Sequence, residues 1–370
     1  MMRILYTIPN FLTAGSGGAL VNLIRQLDRS RFAPAVCVSR RGGRLEGVLE
    51  EMGVPVLEAR FTVPATPYAG LPRRVREAAG PFRGMGFDLW HSFHYGDDYT
   101  EPLIARAAGA KAWVYTKKNM SWRGRAWKVR SLLAGGIAAQ NTRMLREFFA
   151  QWWWRRKTAL IPRSVDAERF RPGAVAGLGL RERFGVGGGA PVVVAVGQVL
   201  PVKGHELLVR AAAGLPGVHV WIAGGTEDEA CAGALRRLSE ELGLGERFRL
   251  LGKVEDVAGL LAEADVFVHP SRHEGCPVAL LEAMACGKAC IATRVAGAED
   301  VIETEVSGLL VPPLDVEGLR EALRRVLEDE GLRRRLGEGA RARVLAAYTV
   351  QREARQYEQF YLRALGEEGQ

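Results

Sequence analysis

The stretch Asp265-Val-Phe-Val-His-Pro-Ser-Arg-His-Glu-Gly-Cys-Pro-Val-Ala-Leu-Leu-Glu-Ala-Met-Ala-Cys-Gly287 decides how this chain folds. Val266–His269 is a short apolar run bounded by Asp265 and Pro270, which predicts a strand buried on both faces. A polar turn carrying Glu274 follows, and then Val278 to Gly287 reads as an apolar helix. Pro277 suits the first helical position, where no N–H is needed. Strand, turn and helix in that order are the unit of a parallel α/β sheet. The helix start exposes unpaired N–H groups and favours an anion such as a phosphate. Glu282 would lie about 7 Å further along the axis. The spacing of Glu274 and Glu282 proves nothing alone, because many Glu pairs occur by chance. The strand before them and the helix around them supply the context.

Outward from that stretch the same alternation repeats. In the first half strands are predicted at Ile4–Ile8, Ala35–Val38, Leu89–Phe93, Ala112–Thr116 and Gly136–Ala139. The Gly- and Pro-rich segment from Arg169 to Gly179 has the composition of a linker. The pattern restarts at Pro191-Val-Val-Val-Ala-Val-Gly197 and continues through Val218–Ala223, Phe248–Leu251 and Ala289–Thr293. Ala232–Leu242 and Val316–Glu328 have helical periodicity, and a last helix is expected from Val350 to Ala364 after Thr349. The expected division is therefore 1–171, 172–348 and a terminal helix at 349–370. That makes two Rossmann-like α/β domains, with ligands beyond the carboxyl ends of the strands.

The 370 residues suffice for two cores. No apolar run reaches 18 residues, so no transmembrane helix is expected, and Met1–Pro9 reads as a first strand rather than a signal peptide. The five cysteines form no Cys-x-x-Cys pair and read as reduced thiols. A zinc site from His273, Cys276, Cys286 and Cys290 would fit no usual ligand spacing. The net charge of +9 divides unevenly. Residues 1–170 carry 27 Lys+Arg against 13 Asp+Glu, and residues 171–370 carry 24 against 29. The basic half suits an anionic partner: nucleic acid, an anionic membrane or a phosphorylated acceptor.

Residues after strand ends are the candidates for chemistry. Gly15, Gly17 and Gly18, in the segment Thr13–Ala19, read as a glycine-rich loop opening a helix, with no Walker lysine. His91 and His94 follow the strand at Leu89 and are candidates to orient or accept from a hydroxyl. Asp97-Asp98 reads as a turn. Lys117, Lys118 and Asn119 would place two ammonium groups where an anion binds. Trp122, Arg123, Arg125, Trp127, Lys128 and Arg130 interleave aromatic and basic side chains, and Leu71–Arg76 forms a second basic cluster. Such mixtures suit a bilayer interface or stacked bases. Gln198, Lys203 and Gly204 follow the Val-rich strand, where Lys203 would be a point charge for a diphosphate. Gly224-Gly225 and Gly252-Lys253-Val254 would let a flat base approach the backbone.

In this order the pieces resemble a retaining glycosyltransferase of family 4 with the GT-B fold. The resemblance is carried by Gly197…Lys203-Gly204, Glu240–Gly252, Ala264–Gly275, Leu280–Gly287, Gly308–Pro313 and Leu160–Pro172. It implies two domains facing across a cleft. It implies that Glu274 touches the donor sugar, that Glu282 binds both ribose hydroxyls and that Lys203 holds the diphosphate. Backbone at Gly275, Cys276, Pro277 and Val278 would meet sugar or phosphate oxygens. Lys253 and Val254 would meet the base, Gly17 and Gly18 the diphosphate, and His91 or His94 the anomeric centre. Three positions depart from the family's pattern. Gln198 stands where an Arg is usual, leaving Lys117 or Lys118 to supply the cation. His91-Ser-Phe-His94 replaces His-x-His, and Pro162-Arg-Ser-Val-Asp166 replaces Pro-Asn-Gly-Val-Asp.

The expected activity is metal-independent, cofactor-free transfer of a hexose from a nucleotide-diphosphate sugar, UDP before GDP, to a glycan or glycolipid hydroxyl. The expected setting is cell-envelope polysaccharide or lipopolysaccharide synthesis on the cytoplasmic side of the membrane, with peripheral contact to anionic lipid and no nucleic-acid partner. Two alternatives are a nucleotide-sugar epimerase on the same fold and a non-catalytic sugar-nucleotide or membrane-binding module.

Overall fold

Each predicted apolar run becomes a strand, and all the strands pair in parallel. The computed structural model describes residues 1–11, 14–96, 98–122 and 124–367. The chain divides into two units, Met1–Arg163 with Val350 onward, and Ser164–Thr349.

Among the described residues the first unit has strands β1 Met2–Ile8, β2 Phe32–Val38, β3 Val56–Glu58, β4 Leu89–Ser92, β5 Ala112–Lys117, β6 Gly136–Ala139 and β7 Thr158–Leu160. They lie in the order β3-β2-β1-β4-β5-β6-β7. The second unit has β8 Val192–Val196, β9 His219–Ala223, β10 Phe248–Gly252, β11 Val266–His269, β12 Ala289–Thr293 and β13 Leu309–Val311, in the order β10-β9-β8-β11-β12-β13. The strand order reverses between β1 and β4 and between β8 and β11. At such switch points ligands bind in open α/β sheets. The strands β3, β7 and β13 are three residues long, too short for a periodicity to register in the sequence.

The helices that matter to the sites are α1 Ala14–Gln26, α2 Thr100–Ala107, α3 Ala126–Leu133, α4 Trp152–Arg155, α5 His205–Ala213, α6 Val278–Ala285, α7 Ala296–Val301 and α8 Val350–Leu365. Both faces of each sheet are covered, so each unit has two apolar layers. Val193 and Val268 face one layer while Val194 and Phe267 face the other. This explains why β8 and β11 are apolar throughout rather than alternating.

The boundary falls at 163/164, eight residues before the expected 171/172. The reason is local pairing. The Val165 N–H donates to Tyr348 O at 2.9 Å, and Phe170 packs into the second unit's core. The terminal helix α8 packs against α1 and buries Tyr357, Phe360 and Tyr361 in the first unit. Gly136 in β6 permits this, because a Cβ there would lie 2.8 Å from the Phe360 ring.

Candidate functional site

In the second unit the loops after β8 and β11 are locked together by one glycine. Gly204 sits at φ +64°, and a Cβ there would lie 2.2 Å from Pro270 O. Only glycine meets both demands. The Arg272 N–H donates to Val202 O at 2.9 Å across the same seam. The turn Pro201–Lys203 is thereby held beside Glu274, and Lys203 Nζ donates to Glu274 Oε2 at 2.6 Å. The two residues the sequence assigned to different parts of a ligand thus form an ion pair with each other. An ammonium has three donors. Among the described residues only one of Lys203's is engaged, by Glu274.

Glu274 is partly buried, with its side chain 16% exposed. Its Oε1 accepts from the Gly275 N–H at 3.1 Å. Burial alone would raise its pKa, but His269 and the Lys203 ammonium outweigh burial and hold it at about 2. It is therefore a fixed negative charge at any ordinary pH. His269 Nε2 lies 3.6 Å from Glu274 Oε2, longer than a hydrogen bond but close enough to act on its charge, and among the described residues neither Nε2 nor the buried Ser271 Oγ has a hydrogen-bond partner. His205, buried at the start of α5, has Nε2 3.3 Å from both Gly197 O and Gln198 O, and burial pushes its pKa down to about 4. It braces the loop that leaves Gln198 exposed.

The helix α6 opens one residue later than expected. Pro277 has φ −83° and ψ 89°, so it is the cap rather than the first helical residue, and no side chain caps the helix. Gly297 at the start of α7 lets Gly275 and Cys276 come close; a Cβ there would lie 2.6 Å from Gly275 O. Val278 is half-buried beside them. Glu282, one turn into α6, has no side-chain hydrogen bond or ion pair among the described residues. Burial pushes its carboxyl up to about 7, with Arg169 opposing. A half-buried carboxyl with no protein partner suits donors supplied by a ligand. Lys253 is exposed after β10, and Val254 packs against the core. Gly224 offers no flat platform: a Cβ there would fall 1.9 Å from Gly197 O, so its role is to let the β8 and β9 loops touch.

In the first unit several expectations are corrected. Gly17 and Gly18 lie inside α1, which begins at Ala14 rather than near Leu20. A Cβ at Gly17 would lie 2.9 Å from Phe11 Cδ1 and 3.0 Å from Leu45 Cδ1, so Gly17 serves packing, whereas Gly18 faces open space. Thr13, Asp97 and Arg123 lie outside the described residues. His91 is fully buried, with Nδ1 bonded to Tyr361 OH and Nε2 to Thr116 Oγ1, each at 2.8 Å. Burial, with Lys118 nearby, pushes its pKa down to about 3. Enclosed on both nitrogens, His91 is held in the core of this unit, away from solvent.

His94 borders a cavity of about 530 Å³ whose lining includes Ile8, Pro9, Ser16, Phe61 and Tyr95. Its Nε2–H donates to Glu101 Oε2 at 2.8 Å, and its Nδ1 accepts from the Gly96 N–H at 2.9 Å. These bonds orient the ring at the end of β4. Glu101, in the first turn of α2, is fully buried and also accepts from Trp90 Nε1 at 3.0 Å and from Thr7 Oγ1. Arg130, equally buried, approaches Glu101 Oε2 at 3.4 Å and donates to Asp98 O at 2.6 Å. Burial alone would raise the Glu101 pKa, but His94 and Arg130 outweigh burial and hold it at about 2. Neither residue of this pair was singled out as a site partner from the sequence. The signal available was Glu101 as the last acid before Glu147 in a basic stretch.

The expected anion cradle at Lys117, Lys118 and Asn119 is not a free one. Lys117 donates to Asn119 Oδ1 at 2.6 Å and Ser121 O at 2.7 Å, and lies 3.8 Å from the Trp122 ring centroid. Lys118 is buried, donates to Phe93 O at 2.6 Å and sits over the Phe93 ring. Burial, with Arg163 nearby, lowers its pKa well below the usual lysine range. Arg163 itself pairs with Glu353 at 3.5 Å. Trp122 and Trp127 are half-buried, stack on each other at 5.1 Å and pack against the core, so their faces are taken by protein rather than open to bases. Among the described residues no helix is long and apolar enough to cross a membrane, and no group of three His, Cys, Asp or Glu is placed to hold a metal.

Residues 180–343 match the family described as glycosyl transferases group 1. The D-inositol 3-phosphate glycosyltransferase of Saccharomonospora viridis is 38% identical over 189 residues, 48% of this chain and 43% of that protein. The lipopolysaccharide core biosynthesis glycosyltransferase LpsE of Rhizobium meliloti is 36% identical over 149 residues, 40% of this chain and 43% of that protein. The matched part spans less than half the length of either relative. Among solved structures, a glycosyltransferase from Rickettsia africae superposes with a TM-score of 0.87 at 19% identity, covering 98% of both chains. Anabaena HepE, solved with UDP and glucose, gives 0.82 at 21% identity, covering 97% of this chain and 99% of its own. The two parallel-sheet units therefore have the fold of GT-B glycosyltransferases, and the second unit is similar over residues 180–343 to the family glycosyl transferases group 1.

Proposed function

We propose that this protein is a retaining, metal-independent glycosyltransferase that moves a hexose from a nucleotide-diphosphate sugar to a hydroxyl of a glycan or glycolipid. The observation that carries the reading is the β8–β11 switch point. A cation, a fixed carboxylate and a helix start without a side-chain cap converge there, with the Glu282 carboxyl, which has no hydrogen bond or ion pair among the described residues, one turn further on. In this reading Lys203 and the N–H groups around Cys276–Ala279 stabilise the leaving diphosphate. Preorganised donors of this kind are worth several kcal/mol in a transition state. Glu274 takes the sugar hydroxyls, Glu282 the ribose, and Lys253-Val254 the neighbourhood of the base. Gln198 presents a neutral amide to the diphosphate, so Lys203 bears the charge there. In the first unit His94, held by Glu101, serves the acceptor side, with Gly18 facing open space on α1.

The UDP and glucose bound by HepE support a UDP-sugar donor, with GDP second. The lipopolysaccharide glycosyltransferase among the relatives supports cell-envelope polysaccharide synthesis at the inner face of the cytoplasmic membrane. The test is a screen of UDP-, GDP- and ADP-sugars followed by NMR of the reaction with a glycan acceptor. A new glycosidic signal with the donor's anomeric configuration supports the proposal. Epimerised donor without acceptor, or undiminished turnover in both Lys203→Ala and Glu282→Ala, would overturn it. Lys203→Ala is expected to lower turnover by about 10²–10³-fold.

A further inference from the structure

Residues 102–165 hold 14 Lys+Arg and a single acid, Glu147. The aromatic and basic stretch within them folds so that Trp122, Trp127 and Arg130 point inward. What remains outside is different. Val129, Leu132 and Leu133 on α3 are exposed, Leu132 by 63%, and so are Trp152 and Trp153 on α4, Trp152 by 64%. The two helices are neighbours. α3 leads into β6 and α4 into β7, and those strands pair through Ile137 and Thr158. Lys157 Nζ, just after α4, donates to Leu132 O at 3.1 Å and Ala134 O at 3.0 Å. Trp154 turns inward and packs on Trp127. The five apolar side chains thus belong to one face of the first unit, and Arg125, Lys128, Arg155 and Arg156 are exposed around it. None of these four has an acidic partner among the described residues.

We infer that this face docks the protein on an anionic lipid bilayer, with Leu132, Leu133, Trp152 and Trp153 entering the headgroup boundary and Arg155, Arg156, Arg125 and Lys128 meeting lipid phosphates. The composition selects this occupant. Paired tryptophans suit the membrane–water interface, and basic side chains suit an anionic leaflet. The aliphatic Val129, Leu132 and Leu133 have no use against stacked bases, which argues against nucleic acid. A second copy would bring the same cations face to face, which argues against self-association. An exposed apolar group rimmed by charge on an otherwise ordinary surface marks an interaction site. The inference rests on the proposed transferase reading for its purpose, to bring the enzyme to a lipid-linked acceptor, but the docking itself is read independently.

The experiment is vesicle flotation of the full chain with phosphatidylcholine alone and with 30% phosphatidylglycerol, at low salt and at high salt. Wild type should float with the anionic vesicles, remain behind with phosphatidylcholine alone, and be released by salt. Its tryptophan emission should shift blue on binding. Trp152→Ser/Trp153→Ser should weaken binding about tenfold or more. Arg155→Glu/Arg156→Glu should weaken it at least about fivefold per residue. Far-UV circular dichroism checks that each variant is folded, and the arginine pair keeps the test open if the tryptophan pair is not. No flotation by wild type, equal flotation by both folded variants, concentration-dependent dimerisation lost in the variants, or tighter binding to oligonucleotide than to vesicles would overturn the inference. Donor turnover with a soluble acceptor should be unchanged in both variants. Flotation without any turnover would overturn the transferase reading and leave the docking face standing.

Discussion

Replacing Glu282 by Gln tests the most unusual electrostatic feature of the second unit. The Glu282 carboxyl is moved from 4.5 to about 7 because burial disfavours its charged form. At about 1.4 kcal/mol per pH unit, that corresponds to about 3 kcal/mol. The sign follows from proton binding. Between pH 4.5 and 7 the folded state holds a proton that the unfolded state has released, so stability falls as pH rises through that window. The stabilising contribution is complete below 4.5 and gone above 7. Gln keeps the shape and never ionises. Glu282→Gln should therefore match wild type near pH 4.5 and exceed it by about 3 kcal/mol at pH 8. Urea unfolding of both proteins at pH 4.5, 6 and 8 measures the difference, and other titrating groups cancel. A difference that stays constant with pH would refute the reasoning. The same carboxyl gives a second reading. If ribose hydroxyls donate to its ionised form, UDP binding at pH 7 should release up to about half a proton. Calorimetry in buffers of different ionisation enthalpy detects that release, which should vanish in Glu282→Gln.

Three further outcomes are expected. Glu101→Gln leaves the buried Arg130 guanidinium without its counter-charge and should cost about 3–5 kcal/mol near neutral pH by denaturant unfolding. Because the Glu101 pKa is lowered to about 2, that advantage of wild type should be complete above pH 4.5 and disappear as pH falls through 2. Tyr361→Phe removes the hydroxyl shared by Tyr6 OH at 3.0 Å and His91 Nδ1 at 2.8 Å. Left unsatisfied, those buried groups should cost about 1–3 kcal/mol, and hydrogen exchange should rise first in α8. Gly204→Ala forces a left-handed backbone on a residue whose Cβ has no room beside Pro270 O. It should lose at least about 1–2 kcal/mol by thermal or urea unfolding, and donor turnover should fall with it as Lys203 leaves Glu274.

Much of the fold was legible because it is written in local periodicity. The Val-rich run at β8 and the run Val266–His269 are apolar on both faces, and that composition exists only where a parallel strand is covered twice. The three-residue strands β3, β7 and β13 carry no such signal and form because a neighbouring strand offers its edge. The candidate site residues Lys203, Glu274 and Glu282 were legible as residues after strand ends and within a helix that follows one. Their mutual arrangement was not, since the Lys203–Glu274 contact spans 71 positions and depends on the fit of Gly204 against Pro270. Glu101 was overlooked for a related reason. A lone acid in a basic stretch reads as surface, and only its enclosure by Thr7, Trp90, His94 and Arg130 makes it a buried anion.

By itself the amino-acid sequence determined the class of fold, the order of its elements and which chain positions stand at strand ends, because hydrophobic period and turn chemistry act over a few residues. Tertiary structure alone decided the state of each polar group. It made His91 a core residue and left His94 at a cavity. It buried Lys117 beside Asn119 and Ser121 and Lys118 beside Phe93, packed Trp122 and Trp127 against the core, and left Trp152 and Trp153 outside. Burial and pairing arise from contacts between distant segments, and a side chain's charge, reach and partners follow from them.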